Sequence, residues 1–306
     1  MICIFANNDF SIILGRVFQG LGVGASALTG PALMADCFKG RDLTRVSSYY
    51  STVYGLIPIS APVLGGYIQD FLGWRYNFVF MLALAVIIYV IFVLKLPETL
   101  DLKKRATFSL PTFFKNYWVI LKVKQFLLSV ICLLLTWSMF IIFSVMAPFI
   151  MQERLGFSAS IYGLQAIFVG LGFFIGNNIN TLLMRVYRDE TILLIGLGLM
   201  SALSVLLLIF PLAGLLNAWT IILPIFFIML GAGLAFPHLY AAAVSAIPRF
   251  AGAAGALIGT LILIGAVIIT SLMTLLHAHS ALSMAAVYLI LSFSTFSFYL
   301  FGIKKD

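Results

Sequence analysis

Residues Phe126–Met151 read FLLSVICLLLTWSMFIIFSVMAPFIM, 26 residues without an Asp, Glu, Lys, Arg or His. An α-helix rises about 1.5 Å per residue, so about 20 apolar residues cross the hydrocarbon core of a bilayer. This stretch is long enough to do so. Working outward from it, similar runs cover Asp9–Ala35, Val46–Ile68, Tyr76–Leu96, Ile161–Met184, Ile192–Leu212, Thr220–Ala246, Ala253–Leu276 and Ala281–Phe301. Composition agrees. Of 306 residues, 63% are hydrophobic and 9% charged, and the mean hydropathy is +1.14. Soluble domains hold about 45–50% apolar and about 25% charged residues. The sequence therefore predicts an all-α integral membrane protein of nine spans, with lipid as the solvent.

The net charge of +8 does not call for nucleic acid, because its placement follows the threading. Lys and Arg concentrate in cytoplasmic loops. Alternate connections hold 15 of the 18 basic residues, the opposite ones only Arg75 and Arg154, and Arg16 falls inside the first span. This places the C-terminus in the cytoplasm and starts the first span outside. The one long connection, 97–124, divides three spans (1–96) from six (125–306). Its second half mixes Phe113, Phe114, Tyr117 and Trp118 with Lys115, Lys122 and Lys124, the pattern of a helix lying in the membrane interface. The front of the next span is the other reading.

Enzyme chemistry finds no footing. Paired acids, a metal set or a nucleophile with its base would be needed. All ten acids lie in loops or at span ends, and Cys3, Cys37 and Cys132 form neither CxxC nor metal spacing. No cofactor and no metal is expected. The opening MICIFANND lacks the basic region and cleavage site of a signal peptide.

Other residues break the apolar rule. Arg16 sits about two turns inside the first span. Such a charge costs about 2.5–3.5 kcal/mol on insertion scales and usually faces a cavity, although a long stem can also snorkel to headgroups. Gly20 and Gly24 share a helix face, a spacing that lets backbones approach closely in lipid; Gly170, Gly172, Gly176, Gly255 and Gly259 supply similar surfaces. Pro58 and Pro62, one turn apart, precede Gly65 and Gly66, and prolines kink helices. His238 follows Pro237; it could take up a proton in a cavity, but no acid lies near it in sequence, which favours a satisfied histidine. A weak repeat sets LGVG at Leu21–Gly24 against LGAG at Leu230–Gly233. Both lie in inward-running spans that end at a basic turn, as parallel halves of a carrier would have it.

These stretches resemble the major facilitator superfamily, and within it the Bcr/CflA-type drug:proton antiporters. LGRVFQGLGVGAS at Leu14–Ser26 is similar to its fourth-helix motif. SAPVLGGYI at Ser60–Ile68 is similar to its fifth-helix antiporter motif, with Ala61 in place of the first glycine. GWRYNF at Gly73–Phe78, LPETL at Leu96–Leu100 and FPHLYAAAVSAIPRFAGAAGAL at Phe236–Leu257 are also family-like. The loop of Gly-x-x-x-Asp-x-x-Gly-Arg-Arg type that joins the family's second and third helices is absent. The resemblance thus implies an N-terminally shortened member holding helices four to twelve.

It further implies proton-coupled export of small, largely apolar compounds by alternating access, from a bacterial inner membrane, by a monomer whose partners are substrate, protons and lipid. Arg16 and Gln19 become candidates for proton coupling or the cavity wall. Pro58, Pro62, Gly65 and Gly66 become the antiporter motif, and His238 a possible cavity residue. An uptake symporter on the same scaffold and an inactive shortened remnant are the alternatives. The carboxylate that the family commonly carries on its first helix is not in this sequence.

Overall fold

The computed structural model describes residues 2–38, 40–95, 110–275 and 280–303. Ten α-helices occupy them, and no strand occurs among the described residues. Contacts divide the chain into two compact units, 1–108 with Ser158–Gly163, and 109–157 with 164–306.

The first unit holds α1 (Asp9–Cys37), α2 (Gly40–Leu72), α3 (Trp74–Lys95) and the first turn of α6. Asn8 starts α1 by accepting from the Ser11 amide at 2.8 Å, which satisfies one of the orphan donors at a helix start. α2 runs several residues past both ends of the expected span Val46–Ile68. Polar first and last turns continue a helix at no cost in solvent, and hydropathy does not register them. Gly73 alone separates α2 from α3. It takes φ +95°, and its amide donates back to Ile68 O and Gln69 O, the glycine-closed helix end that a side chain would strain. A short 3-10 turn, Ile2–Ile4, packs on α1 and α3. Arg75 Nη2 holds the segment after it through Ala6 O at 3.0 Å.

The second unit holds α4 (Leu110–Leu121), α5 (Lys124–Pro148), the rest of α6 (Ala159–Leu183), α7 (Asp189–Leu212), α8 (Ala218–Ser245), α9 (Ala251–Leu275) and α10 (Ala281–Phe298). The expected interfacial segment is helical from Leu110. Ile120 is buried, Trp118 is exposed, and Lys122 lies 5.4 Å from the Trp118 ring centre. α5 and α10 each pass into a π-helical turn, at Phe149–Arg154 and Tyr299–Ile303.

Two devices build this unit. Four buried hydroxyls return to their own helix backbone: Thr136 Oγ1 donates to Cys132 O, Ser138 Oγ to Leu134 O, Ser204 Oγ to Met200 O and Thr295 Oγ1 to Leu291 O, each at 2.8 Å. Polar groups without water are satisfied internally in this way. Glycines then bring backbones together. Gly196 of α7 and Gly231 of α8 face each other: a Cβ on either would stand within 2.7 Å of the other's carbonyl oxygen. Gly172 and Gly176 of α6 meet the α8 backbone at Phe226 and Leu230, and Gly233 of α8 meets α6 at Phe173. α8 is thereby flanked by α6 and α7. Across the unit, Tyr288 of α10 is buried and donates to Met139 O of α5 at 2.6 Å.

A helix occupies the described part of each expected span. Seven of the described helices, α3 and α5 to α10, are long and apolar enough to cross a membrane. In the most apolar stretch of α8, 61% of residues are buried; in that of α3 none are. α8 is therefore a central helix of its unit, whereas α3 packs one face on α1, α2 and the Ile2–Ile4 turn without fully burying a residue of that stretch. Cys3 and Cys132 are buried, and Cys37 is exposed.

Candidate functional site

In the first unit, Arg16 and Gln19 lie one turn apart on α1, the spacing that puts two side chains on one face. Arg16 Nη1 donates to Gln19 Oε1 at 3.0 Å, and the guanidinium carbon lies 4.8 Å from the Phe78 ring centre on α3. Gln19 Nε2 turns to Met81 Sδ at 3.5 Å. The cation is thus held by an amide and an aromatic face, with no carboxylate on it among the described residues. Planar Arg suits both partners at once. Beside this pair opens a cavity of about 430 Å³ lined by Ile2, Cys3, Phe18, Gln19, Phe78 and Met81, among others. Its walls are apolar and aromatic with one amide, the usual make-up of a small-molecule site. The structure therefore pairs an exposed Arg16 with Gln19, and of the two it is Gln19 that lines the cavity.

The glycines of α1 behave otherwise. A Cβ at Gly20, Gly22 or Gly24 would meet nothing within 4 Å, so the close neighbour expected along that face is not found among the described residues. Gly259 is equally open, and Gly255 meets only the Tyr240 hydroxyl at 3.3 Å. The difference from Gly196 and Gly231 is one of neighbours: small residues permit a close approach, but a second helix has to make it.

α2 continues through Pro58 and Pro62 as a helix; the Pro58 side chain lies outside the described residues. Asn77 Nδ2 of α3 donates to Gly65 O at 3.3 Å. The last three turns of α2 grip the first turn of α6. Gly66 admits the Ala159 carbonyl, and Gly163 admits the Pro62 carbonyl. One turn beyond Gly66, Asp70 accepts from the Ala159 amide at 3.2 Å and the Ser160 amide at 2.8 Å. A carboxylate at a helix start meets free N–H groups and the positive end of the dipole. Hydrogen bonds from Ser160, side chain first and then backbone, hold the Asp70 carboxyl below its ordinary range. Nothing in the sequence of α2 marked Asp70, since its partners lie 89 and 90 positions away.

His238 belongs to the second unit and does not line the cavity beside Gln19. It is buried, and its Nε2 lies 2.7 Å from Asn180 Oδ1 of α6. The acid missing from its sequence neighbourhood is present in space: Asp189 Oδ1, at the start of α7, stands 3.9 Å from Nδ1.

Long apolar helices, closed by glycine contacts and internal hydroxyl bonds around a few polar groups, make up a helical membrane protein. The Major Facilitator Superfamily profile matches residues 1–270; the chain belongs to that family and is a transporter, not an enzyme. It is 25% identical over 312 residues to an uncharacterised transporter of Rickettsia felis, covering 98% of this chain and 76% of that one. It is 26% identical to the multidrug resistance protein D of Escherichia coli over 90% of this chain and 68% of the other. It is 25% identical to the chloramphenicol resistance protein CraA of Acinetobacter baumannii over 74% and 54%.

Proposed function

We propose that the chain carries small, largely apolar compounds outward across a bacterial inner membrane in exchange for protons, by alternating access, with its C-terminus in the cytoplasm, as a Bcr/CflA-type carrier. The observation that carries the reading is the Arg16–Gln19 pair at the rim of an apolar and aromatic cavity. Apolar walls bind greasy solutes with little directional demand, while the Gln19 amide, held by Arg16, orients them. The names of two relatives, a multidrug and a chloramphenicol resistance protein, support drug-like substrates and export. The Ala61-Pro62-x-x-Gly65-Gly66 stretch supports antiport over symport. In this reading the first three helices and the last six act as two rocking bodies, and Gly20 and Gly24 keep α1 free of side chains where a neighbour slides past.

The test is transport by the full chain in cells lacking their main drug pumps. Cells loaded with ethidium and then energised should lose dye several-fold faster with the protein than without it, and a protonophore should abolish the difference. In inside-out vesicles, adding a transported compound should dissipate an established proton gradient. Equal dye loss with and without membrane-inserted protein would refute export, and faster dye entry would favour the uptake reading. Loss of dye that a protonophore leaves unchanged would refute proton coupling alone.

A further inference from the structure

Three polar side chains from three helices of the second unit meet at one end of it. Asn180 lies in the last turn of α6, Asp189 opens α7, and His238 stands about two turns before the end of α8. Asn180 and His238 are 3% and 9% exposed, whereas the Asp189 side chain is 71% exposed.

The orientation of the Asn180 amide selects one tautomer of the ring. The Asn180 amide nitrogen turns to Met184 Sδ at 3.8 Å, which leaves its oxygen facing His238 Nε2 at 2.7 Å. An amide oxygen only accepts, so Nε2 carries the hydrogen. A neutral imidazole has one ring hydrogen, and Nδ1 is then a bare lone pair. Opposite it, at 3.9 Å, is Asp189 Oδ1, another acceptor. Two acceptors face each other across a gap that neither can close. One proton on Nδ1 converts this into a donor facing a carboxylate, with opposite charges. The nearest cations in sequence are Arg185 and Arg188, in the turn that leads into α7, with Arg188 adjacent to Asp189. Between 125 and 148 of α5, 159 and 183 of α6, and 251 and 275 of α9 there is no Asp, Glu, Lys, Arg or His. α7 carries only Asp189 and Glu190. The Cys132 thiol of α5 donates to Thr295 O at 3.7 Å.

We propose that His238 is a proton-binding site: a proton taken up at Nδ1 draws the exposed Asp189 into a hydrogen bond and ties the first turn of α7 to α8, and its loss releases that turn. The latch responds to the pH at that end of the helices whatever the protein carries, so it stands apart from the transport reading.

The test needs no substrate. His277 and His279 are replaced by Gln, leaving His238 as the one histidine of the full chain in detergent micelles. Imidazole 15N resonances are followed from pH 8.5 to pH 5. At the alkaline end Nε2 should be protonated and Nδ1 bare, and on acidification Nδ1 should gain its proton. Asp189→Asn should lower the midpoint by about one pH unit, a tenfold loss of proton affinity, while Asp189→Glu should restore most of it. Amide exchange at Glu190 and Thr191 should slow below the midpoint, relative to intrinsic rates, only when the acid is present. A hydrogen on Nδ1 rather than Nε2 at alkaline pH would overturn the proposal. So would a ring that stays neutral to pH 5, or a midpoint that Asp189→Asn leaves in place. Asp189 is exposed, so neither of its substitutions burdens the fold.

Discussion

Arg16 keeps a charge in an apolar helix with an amide and a ring for company. A lysine there would keep the charge but lose the planar fork that serves both partners. If the pair shapes the carrier's cavity, Arg16→Lys should slow dye export about tenfold at equal protein level, the equivalent of about 1.4 kcal/mol; undiminished export would remove Arg16 from the mechanism. Glycines allow a cleaner comparison, because two on the same helix have opposite surroundings. Gly196 lies against the Gly231 carbonyl, whereas Gly198 meets nothing within 4 Å. Gly196→Val should destabilise by about 1–3 kcal/mol through overpacking. Gly198→Ala should be neutral or stabilising by up to about 1 kcal/mol, the helix preference of Ala over Gly. Thermal unfolding in detergent compares them. At this scale the sequence was legible where the signal is local. Arg16 and Gln19 stand out as polar residues in an apolar run, one turn apart. His238 did not reveal its acid, because Asp189 is 49 positions away and only the packing of α7 on α8 joins them.

At the scale of elements, the first turn of α6 is held from outside itself, by the Asp70 carboxylate on its two leading amides. The sign of its pH dependence follows. The bound form is the ionised one and the carboxyl is held low, so the clasp is intact at neutral pH. Its contribution is complete above the unfolded value near 3.9 and disappears as pH falls through the lower folded value. Amide exchange at Ala159 and Ser160, corrected for intrinsic rates, should stay protected from pH 8 down to about pH 4 and lose that protection progressively as the pH falls further toward the lower folded value. Asp70→Asn should remove most of that protection at every pH, since an uncharged amide offers one acceptor where the carboxylate offers two. Exchange in Asp70→Asn equal to that of the parent would mean the turn holds itself. Spans of lipid-crossing length were legible because each carries its own hydrophobic signal, repeated over some twenty residues. Their polar ends, the reach of α2 to Gly40 and Leu72, and the π-helical turns after α5 and α10 were not, since each depends on backbone bonding that side-chain pattern does not encode.

At the scale of the whole molecule, the distribution of Lys and Arg makes the strongest claim. Reporter fusions ending at Leu155 and at Gly214 should report the outer face, and one ending at Arg188 the cytoplasm. Any two consecutive fusions on one side would break the threading. Which helix lies beside which was beyond the sequence. The order α6, α8, α7 within the second unit follows from glycine-lined contacts whose partners are tens of residues apart, and at Gly20 and Gly24 the same spacing meets no close neighbour among the described residues.

The uneven burial of the three sulfurs has a practical corollary. Thiols react as thiolates that reagents can reach. Cys37 lies open at the foot of α1, while Cys3 and Cys132 are shielded. A maleimide dye should therefore stain the unaltered protein at one place, giving spectroscopists a built-in beacon on the helix that bears Arg16 without engineering a single codon.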